Sequence, residues 1–312
     1  MALIILKQMF IFVIMAAAGI LAVKTKLLDQ HGLTNIAALV INLTMPLMTL
    51  TAILEGATRE ELFNTLVILP AGLLLEVLLY GLACLTARFC RLTGNKNRVF
   101  RACAYMGNTG FMGIPLAVAL FPQLGMLYSA VFTLVDQTAC WTLGYYLCLP
   151  EEKLRDNRWQ DNLKKVVNPC MIALVIAAGM LLAGLHLPPL MENALASIGN
   201  ITSPLAMIYI GGLIAGLDFK KAFTTWEFYL IPVVKMLFAP VLLHLILHTL
   251  GVEESITLYL TMIAGTPTMA SMAMLAQANG SEGDYAAGAV LLTTLACVVT
   301  LPVVMFLVGL LG

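Results

Sequence analysis

Charge is what this chain has least of. Only 11% of its 312 residues are Asp, Glu, Lys or Arg, against 61% hydrophobic residues, far from the balance of a water-soluble domain. Its 17 basic and 17 acidic residues cancel, so no surplus of positive charge remains to attract nucleic acid. The seven cysteines (Cys84, Cys90, Cys103, Cys140, Cys148, Cys170 and Cys297) include no C-x-x-C pair and have no histidine at metal-ligand spacing, so they read as small core residues. A G-x-x-x-x-G-K-[ST] phosphate loop is missing, which argues against an ATP-driven pump. G-x-S-x-G and H-E-x-x-H are missing too, which argues against an intramembrane enzyme. No cofactor or metal is implied. The longest polar stretch, near 150–165, is too short to fold alone.

Long apolar runs are what the chain has in abundance. They lie near Ala2–Val23, Leu33–Leu54, Asn64–Ala87, Val99–Leu120, Gly125–Leu149, Val167–His186, Ala194–Leu217, Trp226–Leu250, Ser255–Ala276 and Tyr285–Leu310. Each approaches the roughly 20 residues that cross a hydrocarbon core about 30 Å thick. They predict an all-α integral membrane protein with ten transmembrane helices. The first run also fits a cleaved leader, ending at Ala16-Ala17-Ala18. Its counterpart later in the chain, Ala177-Ala178-Gly179 beside Ala17-Ala18-Gly19, argues that it is kept.

Cations give the orientation. With the N-terminus outside, Lys24, Lys26, Arg88, Arg91, Lys96, Arg98, Arg101, Lys153, Arg155, Arg158, Lys164, Lys165, Lys220 and Lys221 all fall on the inner side. Only Lys7 and Arg59 fall outside. The positive-inside rule then puts both termini on the extracytoplasmic face of the inner (cytoplasmic) membrane. Anionic headgroups and topology account for the basic loops.

The chain also repeats itself. Asn42-x-Thr44-x-Pro46 returns as Asn200-x-Thr202-x-Pro204, Gly107-Asn108-Thr109-Gly110 is answered by Gly265-Thr266-Pro267-Thr268, and Tyr128 to Cys140 by Tyr285 to Cys297. This divides the chain into a first five-helix repeat (1–150), a cytoplasmic linker (151–165) and a second repeat (166–312). An odd number of helices per repeat makes the second inverted, a pattern of secondary transporters.

The fourth and ninth runs carry their breaks at mid-depth: Gly107, Gly110, Gly113 and Pro115 in one, Gly265 and Pro267 in the other. Proline removes an amide donor and glycine tolerates unusual dihedrals, so both helices unwind there. Unwound backbone in hydrocarbon must be buried in protein or line a wet cavity, so the breaks are expected to face one another inside the bundle. Two half-helix N-termini converging from opposite sides make an anion site. Asn108, Thr109, Thr266, Thr268 and Ser271 add side-chain donors and acceptors, and the carbonyl ends of the first half-helices suit a cation. The alternative is a pair of ordinary kinks. The N-x-T-x-P repeat is read either as kinks whose Asn and Thr satisfy freed carbonyls, or as placing Asn42 on one wall of the cavity.

The run Asn108-Thr109-Gly110-Phe111-Met112-Gly113-Ile114-Pro115-Leu116, the ninth segment bearing Pro267, and the closing Leu291-Leu292-Thr293-Thr294-Leu295 to Leu301-Pro302 resemble the auxin efflux carrier family of permeases, in its prokaryotic branch, over the whole length. The resemblance implies a ten-helix inverted-repeat fold whose fourth and ninth helices cross at the substrate site. It implies a moving domain of helices three to five and eight to ten, and a scaffold of helices one, two, six and seven that often forms a homodimer. Plant members carry a long central hydrophilic loop. Here that loop is short, and the resemblance points to small organic acids of the malonate or malate class.

Three ionisable residues fall near the midplane: Glu76, Asp136 and Lys235. Such groups cost about 2.5–3.5 kcal/mol each at a helix centre, so they must face the interior. Glu76 and Lys235 are near-equivalents under the repeat and are expected to meet across its pseudo-twofold axis, as a structural pair or in ion coupling. Asp136 has no obvious cationic partner in its own half. With Gln137 beside it, it is either the proton-coupling group or an acceptor satisfied by Gln137 and nearby hydroxyls. His244 and His248 are expected at the interface, and the 18 methionines as packing filler. Together these features predict a secondary transporter of small organic anions working by alternating access, with H+ or Na+ as possible coupling ion. The alternatives are a sodium symporter of the bile-acid type, a channel and an intramembrane enzyme.

Overall fold

The computed structural model describes residues 2–56, 58–154, 169–216 and 219–311. Each of the ten apolar runs contains helix, and no β-strand occurs among the described residues. Of the expected linker, only the short turn Glu151–Lys153 and residue 154 are described. Arg155, Arg158, Lys164 and Lys165 lie outside the described residues, as do the side chains of Cys170, Lys220 and Lys221.

Among the described residues, six helices are long and apolar enough to cross a membrane: Leu6–Lys24, His31–Glu55, Arg59–Phe89, Pro189–Ala215, Trp226–Thr249 and Gly283–Leu310. Shorter apolar helices cover Thr109–Leu120, Met171–Ala183 and Glu254–Ala264. The fourth and ninth runs fall short of a full span because each is cut in two. Gly94–Tyr105 is followed by a gap before Thr109, and Glu254–Ala264 by a gap before Ala270–Asn279. Four π-type widenings interrupt other helical geometry, at Val40–Thr44, Thr109–Gly113, Cys140–Gly144 and Pro232–Phe238. Such wide turns free backbone groups and rotate the side chains that follow, which is why they cluster at working sites.

Small residues set the closest helix contact. A Cβ at Gly19 would stand 2.1 Å from the Ile208 carbonyl oxygen, and one at Gly211 only 1.9 Å from that of Ala16. The first helix, whose Ala16-Ala17-Ala18 also resembles a cleavage site, is therefore seated backbone to backbone on Thr202–Ala215, as small-residue pairs allow in membranes. The twin glycine, Gly179, faces open space.

The paired N-x-T-x-P motifs meet at their threonines. Thr202 Oγ1 donates to Thr44 Oγ1 at 2.9 Å, across 158 residues of chain, and also reaches the Gly199 carbonyl at 2.6 Å. Asn42 donates its amide to the Ala38 carbonyl at 2.9 Å and is exposed. This geometry is that of kinks whose side chains satisfy freed carbonyls.

Candidate functional site

The two breaks repair each other. Asn108 N donates to Pro267 O at 2.8 Å and Met269 N donates to Met106 O at 3.1 Å, so Gly107 and Thr268 form an antiparallel bridge. Gly107 is needed at this crossing, since a Cβ there would lie 2.6 Å from Thr266 Oγ1. Threonine hydroxyls serve the remaining backbone. Thr266 Oγ1 donates to Ile263 O at 2.6 Å, Thr268 Oγ1 to Cys103 O at 2.8 Å, and Thr293 Oγ1 accepts from Thr268 N at 3.1 Å. Unwound peptide at this depth is stable because every unwound stretch finds partners in protein.

The cation expected at the carbonyl end of a half-helix is supplied by the chain itself. Lys235, 2% exposed, donates its Nζ to Thr266 O at 2.6 Å and to Pro267 O at 3.4 Å, just past the C-terminus of Glu254–Ala264. Carbonyls without intrahelical partners and the negative end of the helix dipole together draw the ammonium there. This corrects the expected Glu76–Lys235 contact. The only ion pair within 4 Å among the described residues joins Lys96 to Glu227 at 2.5 Å. Glu76 instead faces the Tyr105 hydroxyl, with Oε2 buried and unpartnered. The three midplane charges still interact through space.

Beside the crossing lies a cavity of about 290 Å³. Asn108, Thr109, Gly110 and Phe111 of the fourth segment form one side, and Met269, Ser271, Met274 and Leu275 of the ninth another. Thr133, Asp136, Gln137, Cys140 and Trp141 form a third, and Ala37, Ile41, Met45 and Tyr209 close it. Three of the four wide turns contribute to its lining. Most of its surface is apolar, and its polar groups are few and convergent, the usual make-up of a small-molecule site. Asp136 accepts from Thr109 Oγ1 at 3.1 Å and from Gln137 Nε2 at 3.1 Å, and Gln137 accepts from Trp141 Nε1 at 3.2 Å. Asn108 is 1% exposed, and its buried Oδ1 has no partner. Turned over, the same amide offers two N–H donors to that space.

Of the residues singled out from sequence, Asn108, Thr109, Gly110, Ser271, Asp136 and Gln137 come together at this cavity. The others surround it without lining it. Gly113 packs against Ile263, Pro115 is buried in Ile114–Leu120, Gly265 lies against Leu301, and Thr266, Pro267 and Thr268 are spent on the crossing. Asn42 lies outside, and Glu76 opens onto a separate lateral groove with Tyr80 and Tyr105. His244 is buried at 2% exposure, with its ring stacked on that of the exposed His248. The helix turns that ring inward because its neighbours on the face, Leu243 and Leu247, are core residues. Tyr209 and Trp141 were missed. Tyr209 packs its ring 5.1 Å from that of Phe111 and reaches Met274 Sδ, joining the seventh segment to the fourth and ninth.

No curated protein matches the chain. A family model described as membrane transport protein matches residues 3–305, nearly the whole length. With two paired breaks at mid-segment and a partly polar cavity beside them, the chain is a multi-pass membrane protein that belongs to this family of transporters, the auxin efflux carrier family.

Proposed function

We propose that this protein carries a small organic anion by alternating access, in a frame of ten spans arranged as two inverted repeats with both termini outside. The observation that carries the reading is the cavity at the paired breaks, where the buried Asn108, whose Oδ1 has no partner, stands beside Thr109, Ser271 and the Asp136 carboxyl. The first turns of Thr109–Leu120 and Ala270–Asn279 border it, and helix starts carry amides without intrahelical partners, which suits a carboxylate ligand. The apolar remainder suits a short carbon chain.

Asp136 on a neighbouring wall opposes an anion while it is charged. Proton and anion therefore bind cooperatively, each favouring the other by the same factor. Lys235 supports a proton over sodium as coupling ion, because its ammonium occupies the carbonyls that would otherwise ligate a metal cation. Uptake into proteoliposomes across a panel of mono- and dicarboxylates tests the proposal. It expects saturable flux of an unchanged solute, stimulated by an inward proton gradient. Flux that never saturates would make the protein a channel, and a chemically altered solute would make it an enzyme.

A further inference from the structure

A second cavity, of about 330 Å³, lies where Arg59–Phe89 turns into Gly94–Tyr105, at the opposite end of that half-helix from the crossing. Its lining includes Arg88, Arg91 and Arg101 with Thr93, Asn97 and Cys84, and no carboxylate. Arg101 is held in place by its Nη1, which reaches Tyr80 Oη at 3.4 Å and Cys84 Sγ at 3.8 Å, while its Nε is buried with no partner. Glu227, an acid close to Cys90 in this region, is already tied to Lys96.

The turn itself is costly in a telling way. Leu92 N donates to Ala87 O at 3.2 Å and Arg91 N to Arg88 O at 3.0 Å, the pair of bonds that ends a helix on a left-handed residue. Glycine is the ordinary occupant of that position, yet here Arg91 holds it at φ 52°. On the other side, Thr93 caps Gly94–Tyr105 without a side-chain bond, leaving the positive end of a 12-residue helix at the cavity.

We propose that this cavity binds a phosphate group at the membrane surface, through the planar forks of three arginines and the adjoining helix start. Guanidinium forks match phosphate oxygens two at a time, which a lysine cluster would not. An anionic phospholipid headgroup and a free phosphate share this chemistry, and the position at a helix turn next to apolar surface favours the lipid. The site is independent of the transport cavity.

Purified protein in phosphatidylcholine nanodiscs would be titrated with phosphatidylglycerol, and separately with inorganic phosphate, reading melting temperature and bound lipid by native mass spectrometry. Phosphatidylglycerol is expected to bind and raise the melting temperature. The double variant Arg88→Gln with Arg101→Gln should bind it at least tenfold more weakly. Arg91→Gly gives a readout that a merely structural role would not. In phosphatidylcholine alone it should melt no lower than the native protein, since the turn favours glycine, yet gain less from phosphatidylglycerol. If the double variant fails to fold, Arg91→Gly decides by itself. An equal response to inorganic phosphate would uphold the site and name free phosphate as its ligand. Variants that respond like the native protein, or a native protein that responds to neither probe, would overturn the proposal.

Discussion

Asn108 and Asp136 stand on neighbouring walls of one cavity and ask opposite things of a ligand. Turned over so that its two N–H groups face the cavity, the buried Asn108 amide offers hydrogen bonds to an anion, and a bond of that kind to a charged group is worth roughly 1.5–3 kcal/mol. Asn108→Ala is therefore expected to weaken substrate binding about tenfold or more, from that same energy range, as direct binding measurements would register. An unchanged dissociation constant would move the site elsewhere. Asp136 repels the anion when ionised, so apparent affinity should strengthen as the pH falls and more of the carboxyl is protonated. Asp136→Asn keeps the shape and one acceptor oxygen for the bond from Gln137, and turns an N–H toward the Thr109 hydroxyl, which can accept it, but it cannot exchange a proton. Its binding should persist with the pH dependence gone and with uptake indifferent to the proton gradient. Retained coupling in this variant would make Asp136 structural. A swap of Glu76→Lys with Lys235→Glu, which a direct pair would tolerate, should not be rescued here. The exchanged carboxylate would face the Thr266 and Pro267 carbonyls, and melting curves of the single and double variants give the coupling.

Elements meet through glycines, and not every glycine carries the same weight. Gly19→Leu would drive a side chain into the Ile208 backbone, which cannot yield as a flexible side chain can. Overpacking of side chains alone costs about 1–3 kcal/mol. Gly179→Ala, at the twin position in open space, should be neutral or slightly stabilising, so melting temperatures of the two variants should diverge sharply. Equal behaviour would mean that the first helix is not seated as described. These twins also mark how far the sequence could be read. The breaks were legible because Gly107 and Pro267 act on their own backbone, and the membrane environment then leaves few places for unwound peptide to go. Their hydrogen bonds to each other follow from that pressure. What could not be read was how side chains would be allocated. Thr266 and Thr268 have the same groups as Thr109, yet they are consumed by local carbonyls that only the folded break exposes. Lys235 chose carbonyls over Glu76 because repeat symmetry fixes where an element lies to within a turn, whereas ion pairing needs a fit within a few ångströms. Tyr209 sits beyond the Asn200-x-Thr202-x-Pro204 kink of its segment, within the uninterrupted helix Thr202–Ala215, so nothing local marked it.

At the scale of the whole molecule, the cavity is a seam. Its fourth, fifth and ninth-segment walls carry the breaks and the buried charge, while Ala37, Ile41, Met45 and Tyr209 close it from the second and seventh segments, where Thr44 and Thr202 lock two halves of the chain together. On the alternating-access reading proposed above, these two sides slide past each other, and π-type turns lie on both, at Thr109–Gly113 and Cys140–Gly144 on one and at Val40–Thr44 on the other. The π-type turn at Thr109–Gly113 also places Phe111 against Tyr209 across that line, with rings 5.1 Å apart. If transport needs the two sides to move past each other, a link across the seam should stop it without emptying the site. Phe111→Cys with Tyr209→Cys, in a cysteine-free background that still transports, can be joined by a short bifunctional thiol reagent. Substrate binding should survive the link, uptake should fall to background, and cleaving a reducible version of the reagent should restore it. Either single variant treated the same way should keep its own uptake rate. Full uptake by completely linked protein would place the moving boundary elsewhere, since a substrate cannot be released by a rearrangement across a seam held shut.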